Sequence, residues 1–231
     1  MNPMMFDPMY MVMILPALLL AVYAQIKVKS TFERFSSVRA SRGSSADSVT
    51  RMLLDKFGLH SVKIERVGGN LTDHYDPRSK TLRLSDSVGG SSSIAAIGVA
   101  AHEVGHAVQD SQGYAPLKIR NSLVPAASLG SNMGILLFIL GLLLPTGMGF
   151  MMTLGIVLFS CAVLFQIVTL PVEFDASRRA LALLSETGTL SPAELSGAKS
   201  VLSAAALTYI AATVMAVLQL LYLLSRSRSR R

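Results

Sequence analysis

The sequence predicts a mainly α-helical membrane protein with about four transmembrane helices and a small α+β part. Only 15% of the 231 residues are charged, whereas 51% are hydrophobic. Four stretches of 18 to 24 residues contain no Asp, Glu, Lys, Arg or His, and about 20 apolar residues cross a bilayer as a helix. The polar region between the first two stretches mixes helical and alternating periodicity, which predicts the α+β part. The four stretches are Met9–Ile26, Leu123–Leu144, Met148–Leu170 and Val201–Leu224.

The first apolar stretch has two interpretations. It is the shortest of the four and contains Pro16, so a secretory signal peptide is the alternative to a membrane anchor. No Lys or Arg precedes the stretch, and no A-x-A cleavage pattern follows it. We therefore predict that residues 1–26 form an N-terminal membrane anchor. A basic juxtamembrane link that ends at Gly43 follows this anchor.

The polar region begins with a predicted helix and continues with extended segments. Ser44 and Asp47 fit a capping box at the start of a helix that Gly58 ends. Alternating apolar and polar residues predict a strand over residues 61–67. A turn and a loop or hairpin follow, and Thr81–Leu84 is predicted to be extended. This short extended run could pair with an added strand, although a plain structural strand would look the same.

A second helix is predicted over "SSSIAAIGVAAHEVGHAVQDSQG". A serine among residues 91–93 can cap the start of this helix, and Gly113 lies just beyond its end. Gly105 and the alanines at positions 100, 101 and 107 favour close packing of the helix against a neighbour.

The rest of the chain is predicted to be helical. Residues 123–170 contain two apolar stretches joined by "PTGMG", which is short and uncharged and therefore predicts the turn of a transmembrane hairpin. Residues 171–200 are predicted to form an amphipathic helix, with Pro171 in its first turn, and a polar link. Residues 201–231 are predicted to form the last transmembrane helix and a basic tail.

The charge of the chain favours a lipid bilayer over nucleic acid as its partner. The formal net charge is +7, and the chain ends in "SRSRSRR". Basic residues next to apolar spans contact anionic lipid headgroups, which accounts for this charge without nucleic acid. The lone cysteine, Cys161, lies inside the third apolar stretch and excludes an intrachain disulfide.

The segment "HEVGH" predicts a zinc site on the second helix. His102 and His106 are four residues apart and project from one face of a helix, so both imidazoles can bind one metal ion. Glu103 is the neighbour of the first histidine and can reach a water on the metal. In an H-E-x-x-H helix, zinc acidifies this water and the glutamate takes its proton.

A catalytic zinc site needs a third protein ligand. His60 and His74 precede the motif, and two carboxylates after it are further candidates. Asp110 is eight residues past His102 on the same helix, from which its side chain reaches the metal with difficulty. Glu173 begins a predicted helix directly after a membrane span, where an acidic residue is also favoured by the helix dipole. From the residues alone, the ligand and the dipole interpretations of Glu173 are equally supported.

Three motifs resemble one family of proteins. The segments "LTDHYDPRSKTLRLSD", "IAAIGVAAHEVGHAVQ" and "LPVEFDASRRAL" resemble those of bacterial membrane zinc metallopeptidases of the YugP type, the neutral zinc metallopeptidase 2 family. The resemblance covers nearly the whole chain. It implies an integral membrane peptidase with one zinc ion per chain, held by His102 and His106 and activated through Glu103. It also implies that residues 27–122 form a zincin-like catalytic region.

The distant resemblance to HtpX-type membrane peptidases implies that Glu173 is the third zinc ligand, which makes the site gluzincin-like. Those relatives have an aspartate four residues after this glutamate, whereas this chain has Ser177 there. Asp175 is therefore a substitute candidate for the partner of the zinc histidines. Arg178 or Arg179 could stabilise an oxyanion or bind a peptide carboxylate, and basic residues after a span also anchor to lipid. His74 could assist the transition state, although a solvent-facing histidine in a turn is the stronger interpretation.

The shared metal predicts a membrane topology. His102 and Glu173 must meet, so the two spans between them must return the chain to one side of the plasma membrane. That side carries 17 of the 21 basic residues, and the tail carries four. The positive-inside rule then favours a cytoplasmic catalytic side, although the basic tail, which four spans place outside, counts against it.

Two functions fit these features. The first is a zinc endopeptidase that cleaves peptides or proteins at the membrane, with misfolded membrane proteins among its candidate substrates. The second is a non-catalytic membrane scaffold or regulator with a structural zinc site. A structural site has no use for a base, so Glu103 favours the enzyme.

Overall fold

Helices make up most of the protein. The computed structural model describes residues 7–144 and 149–228. Within these residues, four helices are long and apolar enough to cross a membrane. The prediction of a mainly helical chain with about four candidate spans is therefore confirmed. The elements are α1 (Pro8–Ser36), α2 (Ala46–Lys56), β1 (Lys63–Val67), β2 (His74–Asp76), β3 (Thr81–Ser85), α3 (Ile94–Ser111), α4 (Ala115–Leu143), α5 (Phe150–Glu186) and α6 (Pro192–Arg228).

The apolar helices are longer than their apolar stretches. Helix α1 continues through much of the predicted basic link, and α6 already begins in the predicted polar link. The apolar stretch indicates the part of a helix that matches the bilayer, whereas the ends of the helix depend on capping and packing. The predicted turn "PTGMG" falls almost wholly on residues 145–148, which lie outside the described residues.

Helix α5 runs without interruption through Pro171, where the sequence predicted the start of a separate helix. A proline inside a helix removes one main-chain hydrogen bond, but it does not have to end the helix. The side chain of Glu173 therefore projects from the middle of a long helix and not from a helix terminus, which removes the helix-dipole explanation of its position.

Serine residues cap two of the shorter helices. Ser45, and not Ser44 as predicted, caps α2, because its side chain accepts a hydrogen bond from the main-chain N–H of Ser48 at 3.3 Å. Ser93 caps α3 in the same way, and it accepts from Ala96 at 3.2 Å. The predicted serine cap of α3 is confirmed. These caps fix where each helix begins and so fix the faces that its side chains occupy.

The chain divides into two compact units. The first unit combines the described residues of the segments 1–24, 118–170 and 208–231, which hold most of the four apolar stretches. Close contacts between α4 and α5 in this unit depend on glycine. A Cβ atom on Gly130 would lie 2.1 Å from the carbonyl oxygen of Leu158, and one on Gly141 would lie 2.6 Å from the nitrogen of Met152. The glycine nearer the end of α4 contacts the residue nearer the start of α5, so these two helices pack antiparallel.

The second unit comprises residues 25–117 and 171–207. Its three-stranded sheet has the order β1-β3-β2, with β1 parallel and β2 antiparallel to the central strand β3. The extended run predicted over Thr81–Leu84 is this central strand, so both of its edges are already paired. That pairing excludes the addition of a substrate strand to this run.

The core of the second unit surrounds α3. Most apolar residues of α3 are fully or almost fully buried. The same holds for Leu82 and Leu84 on β3 and for Leu53 and Leu54 on α2. Buried residues of α5 and α6 complete the cluster; they include Ala180, Leu184 and Ala198. Because α3 is enclosed in this way, the side chains that it presents to α5 are withdrawn from bulk water.

Candidate metal centre

Two histidines of α3 converge on one carboxylate of α5. The Nε2 atom of His102 lies 3.2 Å from Oε2 of Glu173, and the Nε2 atom of His106 lies 3.6 Å from the same oxygen. The two imidazole rings are nearly perpendicular, at 84°, with centroids 4.7 Å apart. His106 and Glu173 are buried, whereas His102 is partly exposed. The imidazole nitrogens of the two histidines and one carboxylate oxygen therefore converge in a largely buried cluster, of which His102 is the most exposed member.

The separation of these atoms matches what a zinc ion requires. Two ligand atoms bound about 2.0–2.2 Å from a tetrahedral zinc ion lie about 3.4 Å apart. The measured separations of 3.2 and 3.6 Å fall on either side of this value. Among the described residues, His102, His106 and Glu173 are the group of three metal-binding side chains whose ligand atoms lie within 4.8 Å of one another. Two imidazoles and a carboxylate are a donor set that zinc accepts.

Glu103 lies beside these residues but is not one of the converging group. Its side chain is buried, with 7% of the residue exposed. Burial is the main cause that raises the pKa of Glu103 to about 7; the nearby His102 opposes this rise, and the carboxylate of Glu173 adds to it. The main-chain N–H of Tyr75 on strand β2 donates a hydrogen bond to the Glu103 carboxylate. A carboxyl group that ionises near neutral pH is suited to exchange protons with a substrate.

The second nitrogen of each histidine also has a protein partner. The Nδ1 atom of His102 lies 3.1 Å from Oγ of Ser177, and the Nδ1 atom of His106 lies 3.0 Å from Oε1 of Gln109. Ser177, which lies four residues after Glu173, is therefore the partner of His102 on α5. Asp175, the substitute candidate, reaches the histidines only indirectly, because it accepts a hydrogen bond from Nε2 of Gln109 at 2.9 Å.

The two arginines of the third motif are tied to Asp175. Arg178 and Arg179 both donate to its carboxylate, and Arg179 also donates to the side-chain oxygen of Gln112. The guanidinium of Arg179 lies over the ring of Tyr114, 5.6 Å from its centroid. Arg179 therefore links α5 to the end of α3, whereas Arg178 has 79% of its side chain exposed.

The other candidate ligands that the sequence offered form contacts away from the two histidines of α3. The carboxylate of Asp110 accepts a hydrogen bond from the Tyr75 hydroxyl at 2.9 Å, and burial together with this bond raises the pKa of Tyr75. His60 contacts Asp55 at 2.8 Å. His74 is exposed and contacts the carbonyl oxygen of Thr72. None of these three candidates belongs to the group of converging ligand atoms in the described residues.

Sequence reasoning missed Gln109 and the main chain of Tyr75. The signal for Gln109 was present, because it lies seven residues after His102 and three after His106 and so projects from the same face of α3. The contact between Tyr75 and Glu103 carries no such signal, since it depends on how strand β2 packs against α3.

A helical chain with four candidate spans, in which two histidines face one buried carboxylate, defines a class: a membrane protein with a candidate metal centre. The chain belongs to the family described as "Putative neutral zinc metallopeptidase", whose model matches residues 10–228. It is 46% identical over 213 residues to the "Putative membrane protease YugP" of Bacillus subtilis (strain 168), an alignment that covers 92% of this chain and 94% of the relative. No solved structure matches the chain. The family predicted from the three motifs is therefore confirmed.

Proposed function

We propose that the chain is a zinc-dependent membrane endopeptidase of the gluzincin type. In this proposal His102, His106 and Glu173 hold one zinc ion per chain, and Glu103 is the general base. The observation that carries it is the convergence of two Nε2 atoms on one carboxylate oxygen at separations that suit tetrahedral zinc. Membership of a zinc metallopeptidase family supports the choice of metal and of reaction.

Each residue has a separate part in the proposed reaction. A zinc ion held by His102, His106 and Glu173 would acidify a bound water and polarise a peptide carbonyl. Glu103 accepts the proton of the attacking water and passes it to the leaving amine. Its burial supports this role, because the raised pKa lets the carboxyl group both accept and release a proton near neutral pH. The partial exposure of His102 supports access of a peptide to the centre.

The chain around the centre supports a proposal for the class of substrate and for the side of the membrane on which the centre lies. The relative from Bacillus subtilis is named as a membrane protease, and four helices of this chain are long and apolar enough to cross a bilayer. We propose that the substrates are peptide segments exposed at the membrane surface, including those of misfolded membrane proteins. We propose a cytoplasmic catalytic side, because 17 of the 21 basic residues lie outside the C-terminal tail.

The variant Glu103→Gln tests this mechanism. The amide keeps the size of the side chain but cannot accept the proton of the water, so cleavage should fall by about 10²–10⁴-fold. Zinc content should stay at one ion per chain, because Glu103 does not contribute a ligand. The assay is the cleavage of casein by detergent-solubilised protein at matched zinc content.

Glu186→Gln is the matched control for this substitution. Glu186 is exposed at the end of α5, where it pairs with Lys56, so the same chemical change there should leave cleavage at the wild-type level. Activity of Glu103→Gln within a few-fold of wild type would refute the proposed base. If wild type and both variants hold zinc and none cleaves casein or a membrane protein, the scaffold function takes the place of the enzyme.

A further inference from the structure

Gln109 is a fully buried polar side chain that the mechanism above does not use. It lies on α3 with none of its surface exposed. A buried amide without partners costs several kcal/mol, yet this one has three hydrogen-bonding contacts. Its Nε2 atom donates to the carbonyl oxygen of Val172 at 2.8 Å and to Asp175 at 2.9 Å, and its Oε1 atom contacts His106 at 3.0 Å. One of these contacts is to a candidate metal ligand, and the other two are to residues of α5 within two positions of Glu173.

These contacts allow only one orientation of the amide. Both groups that face Nε2 of Gln109 are acceptors, so the NH₂ group must point towards them. The reversed amide would place its oxygen against two acceptors and its NH₂ group against His106. The oxygen of Gln109 therefore faces Nδ1 of His106, and this nitrogen must carry the hydrogen. A neutral imidazole protonated at Nδ1 has its lone pair on Nε2.

Asp175 holds the amide in this orientation. Its side chain is only 5% exposed, and its carboxylate accepts hydrogen bonds from Gln109, Arg178 and Arg179. The two arginines fix the carboxylate on α5, and the carboxylate then fixes the NH₂ group of Gln109. A chain of contacts thus runs from α5 through Gln109 to the imidazole of His106.

We propose that Gln109 is a positioning residue that fixes His106 in the tautomer whose Nε2 can bind the metal, with Asp175 as its anchor. This inference rests on the proposed zinc centre and adds to it the group that orients one of its ligands. Partners of this kind, bonded to the distal nitrogen of a ligating histidine, change metal affinity by about 10–100-fold when they are removed.

The variant Gln109→Met tests the proposal through zinc affinity, measured by competition with a chromophoric chelator in detergent. Methionine fills a similar volume but offers no amide oxygen to His106, so we expect zinc to bind about 10–100-fold more weakly. Gln25→Met is the matched control. Gln25 is exposed on α1, and its side chain is not among the contacts around Gln109. The same substitution there should leave zinc affinity unchanged.

The double variant Gln109→Glu/Asp175→Asn separates positioning from packing. The carboxylate at 109 still accepts a hydrogen bond from His106, and the amide at 175 now donates to that carboxylate. The double variant loses the donor to Val172 and the anionic partner of two arginines, so its melting temperature should fall. Its zinc affinity should nevertheless stay within about threefold of wild type, because the acceptor for His106 is retained.

The outcomes distinguish this inference from the proposed function. If His102→Ala abolishes zinc binding while folded Gln109→Met binds zinc like wild type, the zinc centre stands and the role of Gln109 is wrong. If the double variant folds but binds zinc as weakly as Gln109→Met, zinc affinity depends on packing and the proposal is overturned. If Gln109→Met does not fold, the double variant decides alone. Zinc affinity within about threefold of wild type supports the proposal, and weaker binding overturns it. If wild type binds no zinc, the proposed function fails and the inference falls with it.

Discussion

Gly105 lies between the two histidines, where α3 closely approaches α5. A Cβ atom on Gly105 would lie 2.5 Å from the carbonyl oxygen of Ala176, which belongs to the same turn of α5 as Glu173 and Ser177. The variant Gly105→Ala places a methyl group there. The atoms nearest to this Cβ all belong to the main chain of Ala176, so no flexible side chain can move aside. The two helices must therefore separate at the metal centre.

The size of this separation follows from the contact distance. Ordinary van der Waals contact begins at 3.4 Å, so the methyl group requires a displacement of about 0.9 Å. A shift of that size would lengthen the 3.2 Å separation between His102 and Glu173 to about 4 Å, beyond the roughly 3.4 Å that tetrahedral zinc allows. We therefore expect zinc to bind at least tenfold more weakly, together with an overpacking cost of about 1–3 kcal/mol in stability.

Gly98→Ala is the control on the same helix. A Cβ atom on Gly98 would lie 3.4 Å from the Cβ atom of Ala198, which is an ordinary contact. Alanine favours helix over glycine by about 1 kcal/mol, so Gly98→Ala should keep zinc affinity and leave the melting temperature unchanged or raised. The measurements are zinc competition and thermal unfolding of the zinc-free protein. If Gly105→Ala binds zinc as tightly as Gly98→Ala, the close approach does not set the position of Glu173 and the reasoning is wrong.

Two further predictions test the ligand set and the topology. Glu173→Ala should lower zinc affinity far more than Asp110→Ala, because the Asp110 carboxylate contacts Tyr75 and not the histidines; metal analysis showing the reverse order would move the third ligand to Asp110. Single cysteines at the exposed Ser44 and Ser185, in a background without the native cysteine, should both be protected from an impermeant thiol reagent added to intact cells. Labelling of both would place the catalytic side outside, and labelling of one alone would contradict the shared metal centre.

The sequence predicted the parts of the centre that depend on local periodicity. His102, Glu103 and His106 are near neighbours on one helix, and the spacing of four residues alone places the two imidazoles on one face. Ser93 at the start of α3 and the positive φ of 65° at Gly113 after its end agree with the predicted bounds. The capping position of α2 was wrong by one residue, since neighbouring serines compete for the same role and the sequence does not rank them.

The parts of the centre that depend on contacts between helices could not be predicted in the same way. Residues 102 and 173 are 71 positions apart, and their meeting depends on the register of α3 against α5. The residues alone left Glu173 undecided, because a predicted break at Pro171 made it a helix-terminal residue. The continuous α5 removes that alternative. Gln109 was missed because its role requires Val172 and Asp175, whose positions no local pattern reveals.

The two histidines receive different support from α5. Ser177 offers His102 a neutral hydroxyl. The ionised carboxylate lies instead at Asp175, two residues earlier, which is a different face of the helix and is reached from His106 through Gln109. Hydrogen bonds to an ionised acceptor are about twice as strong as neutral ones, so the support on His106 is the more firmly anchored. His106 is also the more buried of the two histidines, whereas His102 is partly exposed. The contacts therefore tie the more buried histidine to an ionised carboxylate through Gln109 and leave the more exposed one with a neutral partner.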